Sequence, residues 1–247
     1  MNKPLNLLCK TAVTSTLLVA LPIQADEKKP FEFSGTAMLM SDFVDRGLSY
    51  TNEDPAIFVA FDIEHKSGFD FGAEALNANL LEGPTVAPGD RANLLFYLYA
   101  GYRGDLSDNL NLSIQGYRYR LVGAASSLNY DYTEFTTTFT YSIQDTDLGF
   151  VYDYSPDFFL KTGQAHNFEF SVSHSLSNDL SFGGYVGKQY ISDNEAMGLD
   201  DNFHYSVWAS YPIGDFDAGI YYTNTDLDNA DAVNGDSRVY FTLSKSF

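Results

Sequence analysis

Cysteine and tryptophan are almost absent from this sequence, with one residue of each among 247. Cys9 lies in the N-terminal segment, so a chain that loses this segment can form no disulfide, thiolate metal site or thiol nucleophile. Basic residues are scarce as well, because 14 Lys and Arg stand against 33 Asp and Glu and give a net charge of −19. An acidic surface of this kind repels nucleic acid, and we expect no nucleic-acid partner.

The sequence also lacks a long apolar run, and its best candidate lies within the first 25 residues. Basic Lys3 and Lys10, an apolar stretch over 11–21 and the small-residue end at Ala25 predict a signal peptide that spans 1–25. A transmembrane helix is the alternative, but an apolar stretch of about 11 residues is far short of the roughly 20 that a bilayer requires. The sequence therefore predicts an exported chain that begins at Asp26.

Aromatic residues are abundant in the remaining segment, 26–247. The chain has 18 Tyr, 20 Phe and 19 Gly. Cleavage removes two lysines and no acid, which leaves 12 basic against 33 acidic residues and a net charge of −21. An exported chain that is rich in aromatics yet only mildly hydrophobic suits a single β domain whose wall is apolar on one face and hydrated on the other.

Hydrophobicity alternates with a period of two residues along most of this segment. Within 56–65, Ile57, Val59, Phe61 and Ile63 are large and apolar, and the residues between them are mostly small or acidic. Clusters of Gly, Asp, Asn and Ser separate such stretches, as turns separate strands. The candidate strands are 33–43, 56–65, 69–78, 92–102, 109–120, 131–143, 147–155, 166–175, 180–190, 202–211, 215–224 and 237–247.

The connections between these twelve strands alternate in length. The short ones are 66–68, 103–108, 144–146, 176–179 and 212–214. The mostly longer ones are 44–55, 79–91, 121–130, 156–165, 191–201 and 225–236. This pattern predicts an all-β transmembrane antiparallel up-and-down barrel with long loops on one rim, and a soluble β-sandwich is the alternative. Because each segment is polar at every second position, only a closed sheet would satisfy all backbone groups in lipid.

The last strand supports the barrel. Val239, Phe241 and Leu243 alternate up to the terminal Phe247, a pattern that we expect the barrel-assembly machinery to recognise. Tyrosines crowd the strands and strand ends, as girdle residues do at membrane interfaces. They include Tyr97, Tyr99, Tyr102, Tyr117, Tyr119, Tyr152, Tyr154, Tyr211, Tyr221 and Tyr222.

Several segments resemble, in order, the TorF family of porin-like proteins. The opening is similar at 41–49, Asp54-Pro55-Ala56 and Ser67-Gly68-Phe69. Further similar segments are 116–119, 131–134, 154–159 and the closing 243–247. The resemblance implies an outer-membrane barrel of porin type and brings no catalytic residues with it. The chain departs from the family pattern at Val44-Asp45, before Arg46-Gly47, where the family has an aromatic and another large residue.

Acidic residues dominate the face that alternation turns toward the lumen. They are Asp62, Glu64, Asp70, Glu74, Glu134 and Glu169. If the lumen holds a water-filled path, rings of carboxylates favour cations. The alternative is that some of these acids pair with Arg46, Arg103 or Arg118 across the lumen and stabilise a nearly closed barrel. Twelve strands enclose less room than the 16 to 18 of general porins.

Two other features carry weaker chemical signals. Asp226, Asp228, Asp231 and Asp236 cluster in one loop, but their spacing departs from an EF-hand, so shared divalent ions with lipopolysaccharide are favoured over a specific Ca²⁺ site. The histidines are His65, His166, His174 and His204. A surface hydrolase would need a histidine as the base beside a nucleophile, and His166 and His204 are the candidates for this base.

The sequence thus predicts an outer-membrane channel for passive diffusion of small hydrophilic solutes, without a cofactor. Its expected partners are outer-membrane lipids, lipopolysaccharide and the assembly machinery, which Phe247 would contact. A non-conducting barrel that binds ions or lipopolysaccharide is the second hypothesis. A surface lipid or peptide hydrolase is the third.

Overall fold

The computed structural model describes residues 30–80, 91–194, 200–227 and 234–247. The predicted signal peptide lies outside these residues. Within them, no helix is long and apolar enough to cross a membrane. The strands are β1 (Phe31–Met40), β2 (Val44–Asp45), β3 (Leu48–Ser49), β4 (Ala56–His65), β5 (Phe69–Leu80), β6 (Ala92–Ser107), β7 (Leu110–Val122), β8 (Tyr132–Ile143), β9 (Thr146–Ser155), β10 (Ala165–Ser175), β11 (Ser181–Ile191), β12 (Asn202–Ile213), β13 (Phe216–Thr225) and β14 (Arg238–Ser246).

Twelve of these strands form one closed antiparallel barrel. Each pairs with its neighbour along the chain, and β1 closes the ring against β14. The paired residues at this seam run from Thr36 and Ser246 to Met40 and Thr242. Next to the pair of Thr36 and Ser246, the backbones of Gly35 and Phe247 add two hydrogen bonds of 2.8 and 3.0 Å. The predicted twelve-stranded barrel is therefore confirmed, and closure leaves the sheet no free edge.

The barrel is apolar outside, and its interior is divided between a hydrophobic cluster and buried polar residues. In β4, even-numbered residues from Ala56 to Asp62 are buried, whereas Ile57, Val59 and Phe61 are exposed. The same alternation places large apolar side chains on the outer wall all around the ring. Examples that are about half exposed are Phe33, Ile57, Phe61, Phe71, Leu98, Phe170, Val207 and Phe241. A continuous apolar outer belt of this kind fits a hydrocarbon surrounding.

Strand limits differ from the prediction in two places. The segment 103–108, predicted as a turn, mostly belongs to β6, which runs to Ser107 and pairs with β7. The predicted first strand continued to residue 43, but the chain leaves the wall after Met40. The predicted loop 44–55 contains β2 and β3, which pair only with each other. These last two strands form the hairpin that positions the candidate site.

Candidate functional site

A hairpin lies inside the barrel and crosses it. We call it the lumen hairpin and define it as Val44–Ser49, with Arg46 and Gly47 at its turn. Both turn residues have positive φ, 49° and 82°, as the tight two-residue turn of a β-hairpin requires. The hairpin follows β1, and in the ring of twelve strands β9 lies directly opposite β1. Since Arg46 contacts β8 and β9, the hairpin spans the lumen.

Arg46 holds the tip of the lumen hairpin to the opposite wall. Its Nη1 and Nη2 donate to both carboxylate oxygens of Glu134 at 3.1 and 2.9 Å, and Nη2 also donates to Asp153 at 3.0 Å. Arg46 is 5% exposed, Glu134 2% and Asp153 1%. Ion pairs that are buried and bidentate are strong, and removing one partner leaves a buried charge without compensation.

Asp153 is the centre of a wider network on this wall. Thr136 Oγ1 donates to its Oδ1 at 2.7 Å. Asn167 Nδ2 donates to its Oδ2 and to Glu169, both at 2.9 Å. The donors orient the carboxylate toward Arg46, so the wall presents a preformed site to the hairpin.

Other contacts fix the hairpin along its length. The backbone carbonyl of Arg46 accepts a 3.1 Å bond from Asn202 Nδ2. A Cβ atom on Gly47 would lie only 2.8 Å from Cβ of Thr225. At the base of the hairpin, Asp42 accepts bonds from Ser49 at 2.5 Å, Thr51 at 2.8 Å and Arg238 at 3.0 Å. The hairpin is therefore anchored at its base, turn and tip.

Burial makes the charge of Asp45 costly. This residue of the hairpin lies near Arg46, Glu169, His204 and Asp153. Burial raises its pKa to about 6 from an ordinary value of 3.8, against the lowering influence of Arg46. Its Oδ1 has no hydrogen-bond partner. Protonation of Asp45 therefore favours the docked hairpin.

The two walls beside the hairpin differ in chemistry. One wall carries a cluster of packed tyrosines from β6, β7 and β8, in which Tyr119 stacks on Tyr132 with ring centres 4.5 Å apart. Because this cluster is buried in the lumen, the prediction that Tyr97, Tyr99, Tyr117 and Tyr119 are girdle residues at the membrane interface is wrong. The other wall, from β9 to β13, carries polar buried residues, among them His204, whose Nε2 lies 3.2 Å from Glu169. The lumen is thus filled at the level of the hairpin.

On β7, β8 and β10 to β12, the inner wall toward the short turns carries small, mostly hydroxylated residues that are partly exposed. They are Ser113, Thr138, Thr140, Ser171, Ser173, Gly183 and Ser210. On β4 to β6 the inner wall toward the short turns carries the charged residues Asp62, Asp70 and Arg103. We call this polar inner surface the vestibule.

All six acids predicted for the lumen lie on inward-facing strand positions. Asp62, Asp70, Glu74, Glu134 and Glu169 are buried, whereas Glu64 is exposed near the end of β4. They are not one ring. Glu134 and Glu169 belong to the hairpin site, Glu74 accepts a 2.5 Å bond from Tyr97, and Asp70 pairs with Arg103 at 2.9 Å.

Of the three arginines in the alternative prediction, Arg46 and Arg103 do pair with lumen acids, whereas Arg118 does not. Because Tyr117 and Tyr119 turn inward, Arg118 between them points out, and its side chain is 54% exposed. Its Nη1 donates to Thr133 at 3.2 Å, and Asp131 lies 3.9 Å away.

None of the four histidines is shown in contact with both a hydroxyl and an orienting carboxylate. His166 faces outward and contacts the hydroxyl of Tyr152 at 2.9 Å, and buried His204 contacts a carboxylate. His174 also faces outward, where Nδ1 lies 2.8 Å from Oγ1 of Thr146 and the ring packs against Phe182. His65 lies 2.6 Å from Ser67 Oγ, but the backbone N–H of Ser67 donates to the same nitrogen and the ring packs against Phe31. This contact is that of a turn rather than of a catalytic pair.

The loop acids are only partly described. Asp226 accepts a 2.6 Å bond from the backbone of Phe203 and lies 3.8 Å from Lys188. Arg238 donates to the backbone carbonyl of Asp236 at 3.0 Å. Asp228 and Asp231 lie outside the described residues. Among the residues described, no group of three or more His, Cys, Asp or Glu is placed to hold a metal ion.

Sequence reasoning missed the lumen hairpin as a structure. The segment Asp45-Arg46-Gly47 was part of a predicted outer loop. The sequence does contain one indication of this hairpin, because Arg-Gly between two short alternating stretches is compatible with a tight turn. Asp153, the second partner of Arg46, was not among the predicted residues either.

A family model described as a bacterial protein of unknown function (Gcw_chp) matches residues 24–247. The chain belongs to the Gcw_chp family. No curated protein matches the sequence. The fold of this Gcw_chp chain is similar to that of solved porins at very low sequence identity.

Among solved structures, the KdgM porin has a TM-score of 0.57 at 8% identity and covers 87% of this chain and 98% of its own. The NanC porin has a TM-score of 0.54 at 12% identity and covers 87% and 99%. A second KdgM structure, in complex with disordered oligogalacturonate, gives 0.54 at 8% with coverage of 87% and 97%. These similarities establish the barrel architecture for this Gcw_chp member.

Proposed function

We propose that this protein is an outer-membrane channel of the porin type, in which the lumen hairpin controls the passage of small hydrophilic solutes. The observation that carries the proposal is the combination of an apolar outer belt, a polar, partly exposed vestibule and, among the described residues, a hairpin that crosses the lumen. Since Arg46 and its partners fill the lumen, conduction requires the hairpin to leave its place. Release of the hairpin from its ion pairs with the opposite wall is the structural change that opens the path.

A preference for cations follows from the charges inside. The inward-facing acids Asp62, Asp70, Glu134, Asp153 and Glu169 are met on the described strands and hairpin by fewer arginines, chiefly Arg46 and Arg103. Carboxylates along a narrow path lower the barrier for cations and raise it for anions. We therefore expect cations and neutral solutes to pass more readily than an acidic oligosaccharide such as the oligogalacturonate of the KdgM complex.

Recording of currents in planar bilayers tests this function. The purified wild-type barrel should give rare or small current steps, and Arg46→Gln should give larger or longer ones because the hairpin is released. In a KCl gradient the reversal potential should have the sign of a cation-preferring pore. Arg118→Gln serves as the control, because it removes an arginine on the outer face and should behave as wild type. Absence of current from wild type and Arg46→Gln alike would refute a conducting function.

A non-conducting barrel is the second candidate, and the complete burial of Arg46 is the observation that favours it. In that case the barrel would bind lipopolysaccharide or ions through its long loops, with Asp226, Asp228, Asp231 and Asp236 sharing divalent cations. The same recordings distinguish the two, because this candidate predicts an intact bilayer even after the hairpin is released.

The cellular setting is part of the proposal. The proposal includes an outer-membrane location, which the apolar belt supports, cleavage of the signal peptide after Ala25, and recognition by the assembly machinery of Phe247, whose backbone pairs with Gly35 at the seam. The long loops would face outside the cell. A relationship to the TorF family would give the same function. Hydrolysis of lipid or peptide finds no support in the contacts of the four histidines.

A further inference from the structure

Unpartnered carboxylate oxygens lie in the lumen below the hairpin. Asp62 is 5% exposed, and neither of its oxygens has a hydrogen-bond partner. Asp70 is 1% exposed, and its Oδ1 is also unpartnered. Its other oxygen, Oδ2, forms an ion pair with Arg103 at 2.9 Å and accepts a 2.5 Å hydrogen bond from Gln115. Buried carboxylate oxygens without a donor are costly, so three of them on neighbouring strands need a physical account.

Tyr99 supplies a fourth unpartnered atom from a different strand. The strand register pairs Gly72 with Asp62 on one side and with Tyr99 on the other, and Asp70 lies two residues from Gly72. A Cβ atom on Gly72 would lie 2.4 Å from the Tyr99 hydroxyl, so this hydroxyl is held against Gly72. Tyr99 is 4% exposed and its hydroxyl has no partner. Asp62, Asp70 and Tyr99 therefore face the lumen from three adjacent strands, with Asp62 and Tyr99 on either side of Gly72 and Asp70 two residues along.

The chemistry of these atoms selects the ligand. Carboxylate and phenol oxygens are hard ligands and suit hard cations. Two carboxylates and the guanidinium of Arg103 give the group a formal charge of −1, which one monovalent cation neutralises. A divalent ion would require more carboxylates than these two.

We propose that Asp62, Asp70 and Tyr99 bind a monovalent alkali-metal cation, and that this site sets the cation preference of the channel. The second part rests on the proposed function, and the first does not. In the open state an ion from the short-turn end would pause at this site before it reaches the level of the hairpin. The preference then arises from one site of defined residues rather than from the acidity of the whole lumen.

Sodium binding tests the site without any need for current. The line width of the ²³Na NMR signal is measured as sodium is titrated into the purified barrel in a zwitterionic detergent. Choline replaces sodium to keep the ionic strength constant. Wild type should show saturable broadening, and Asp62→Asn and Tyr99→Phe should each weaken it at least threefold. Tyr99→Phe keeps every charge, so its effect separates ligation from general electrostatics.

Glu64→Gln is the matched control. It removes the same charge two residues along β4, at an exposed position, and should leave the broadening within about twofold of wild type. Heat-modifiable migration on gels verifies that each variant is a folded barrel. Unchanged broadening in Asp62→Asn and Tyr99→Phe, or an equal loss in Glu64→Gln, would overturn the site.

Reversal potentials then test its role in selectivity. In a KCl gradient, Asp62→Asn and Tyr99→Phe in an Arg46→Gln background should reduce the cation-to-anion permeability ratio at least twofold. Current with undiminished selectivity would overturn the role of the site. Sodium binding in a barrel that passes no current would instead count against the proposed channel and leave the site standing.

Discussion

Arg46 makes the ionic contacts that hold the lumen hairpin to the opposite wall. Its guanidinium is the partner of two buried carboxylates, Glu134 and Asp153, at distances of 2.9 to 3.1 Å. Arg118, in contrast, has its ion pair at 3.9 Å on the exposed outer wall. The contribution of each arginine to stability therefore depends more on its burial than on the presence of an ion pair.

We expect Arg46→Gln to destabilise the docked hairpin by about 3 to 5 kcal/mol, the range for removing one partner of a buried ion pair. The proposed measurement is urea unfolding of the barrel in lipid vesicles, followed by the fluorescence of Trp208, together with protease cleavage of the hairpin. Arg118→Gln should change stability by less than about 1 kcal/mol. Equal effects of the two substitutions would show that Arg46 is not a latch.

Asp45 makes the docking of the hairpin dependent on pH. Its docked pKa of about 6 exceeds the ordinary 3.8, so protonation favours docking. The docked state is therefore most stable below about pH 4 and loses stability as the pH rises to about 6, by on the order of 3 kcal/mol.

Asp45→Asn should remove this loss. The difference in urea stability between Asp45→Asn and wild type should grow between about pH 4 and pH 6 and stay constant above. The charged groups that face Asp45, namely Arg46, Glu169, His204 and Asp153, are present in both proteins, so their own titration largely cancels in the difference. A difference that does not vary with pH would contradict the buried position of this carboxylate.

At the scale of elements, the lumen hairpin depends on Gly47. This residue combines a φ of 82° with a close approach to Cβ of Thr225 and His204, at 2.8 and 3.3 Å from a hypothetical Cβ. Gly214 in a short turn has a φ of 64° but nothing within 4 Å of such a Cβ. Comparing an alanine substitution at each glycine therefore separates the cost of backbone strain from the cost of a steric clash.

Gly47→Ala should destabilise docking by about 1 to 3 kcal/mol more than Gly214→Ala destabilises the barrel, because a clash is added to similar strain. The measured quantities are the rate of protease cleavage within 41–55 and the urea midpoint of each variant. A hairpin that is as protected in Gly47→Ala as in Gly214→Ala would mean that it is less closely packed against β12 and β13 than described here.

At the scale of the whole molecule, the apolar outer belt determines the surroundings in which the barrel is stable. Phe170, at the middle of β10, is 61% exposed, and Phe216, at the start of β13 beside a short turn, is 44% exposed. In a bilayer the first faces the hydrocarbon centre and the second the interface. In water alone both would be sites of aggregation.

Phe170→Arg should therefore cost about 2 to 4 kcal/mol of stability in a bilayer, and Phe216→Arg about 0 to 1 kcal/mol. Folding into phospholipid vesicles at a series of urea concentrations measures both values. A protein that is monodisperse without detergent, or tolerates both substitutions equally, would not be an integral membrane barrel.

The strand pattern was predictable because it is local. The period of two in a segment such as 56–65 reflects one face toward lipid and one toward the lumen, and each strand repeats it independently of the others. Closure followed from the need to pair every backbone group, and β1 does pair with β14. Turn limits such as that of β6 were less certain, since pairing with β7 extends the strand beyond its apolar pattern.

The sequence by itself thus determined the architecture, the outer belt and the inward-facing positions of six acids. Only the tertiary structure decided that 44–49 folds into the lumen, that Arg46 meets Glu134 and Asp153, and that Asp62, Asp70 and Tyr99 are neighbours on three adjacent strands. The physical reason is that alternation specifies which way a side chain points but not what it meets. Partners 88 and 107 residues apart, as Arg46 has, are set by the circumference of the closed ring and the path of one loop across it.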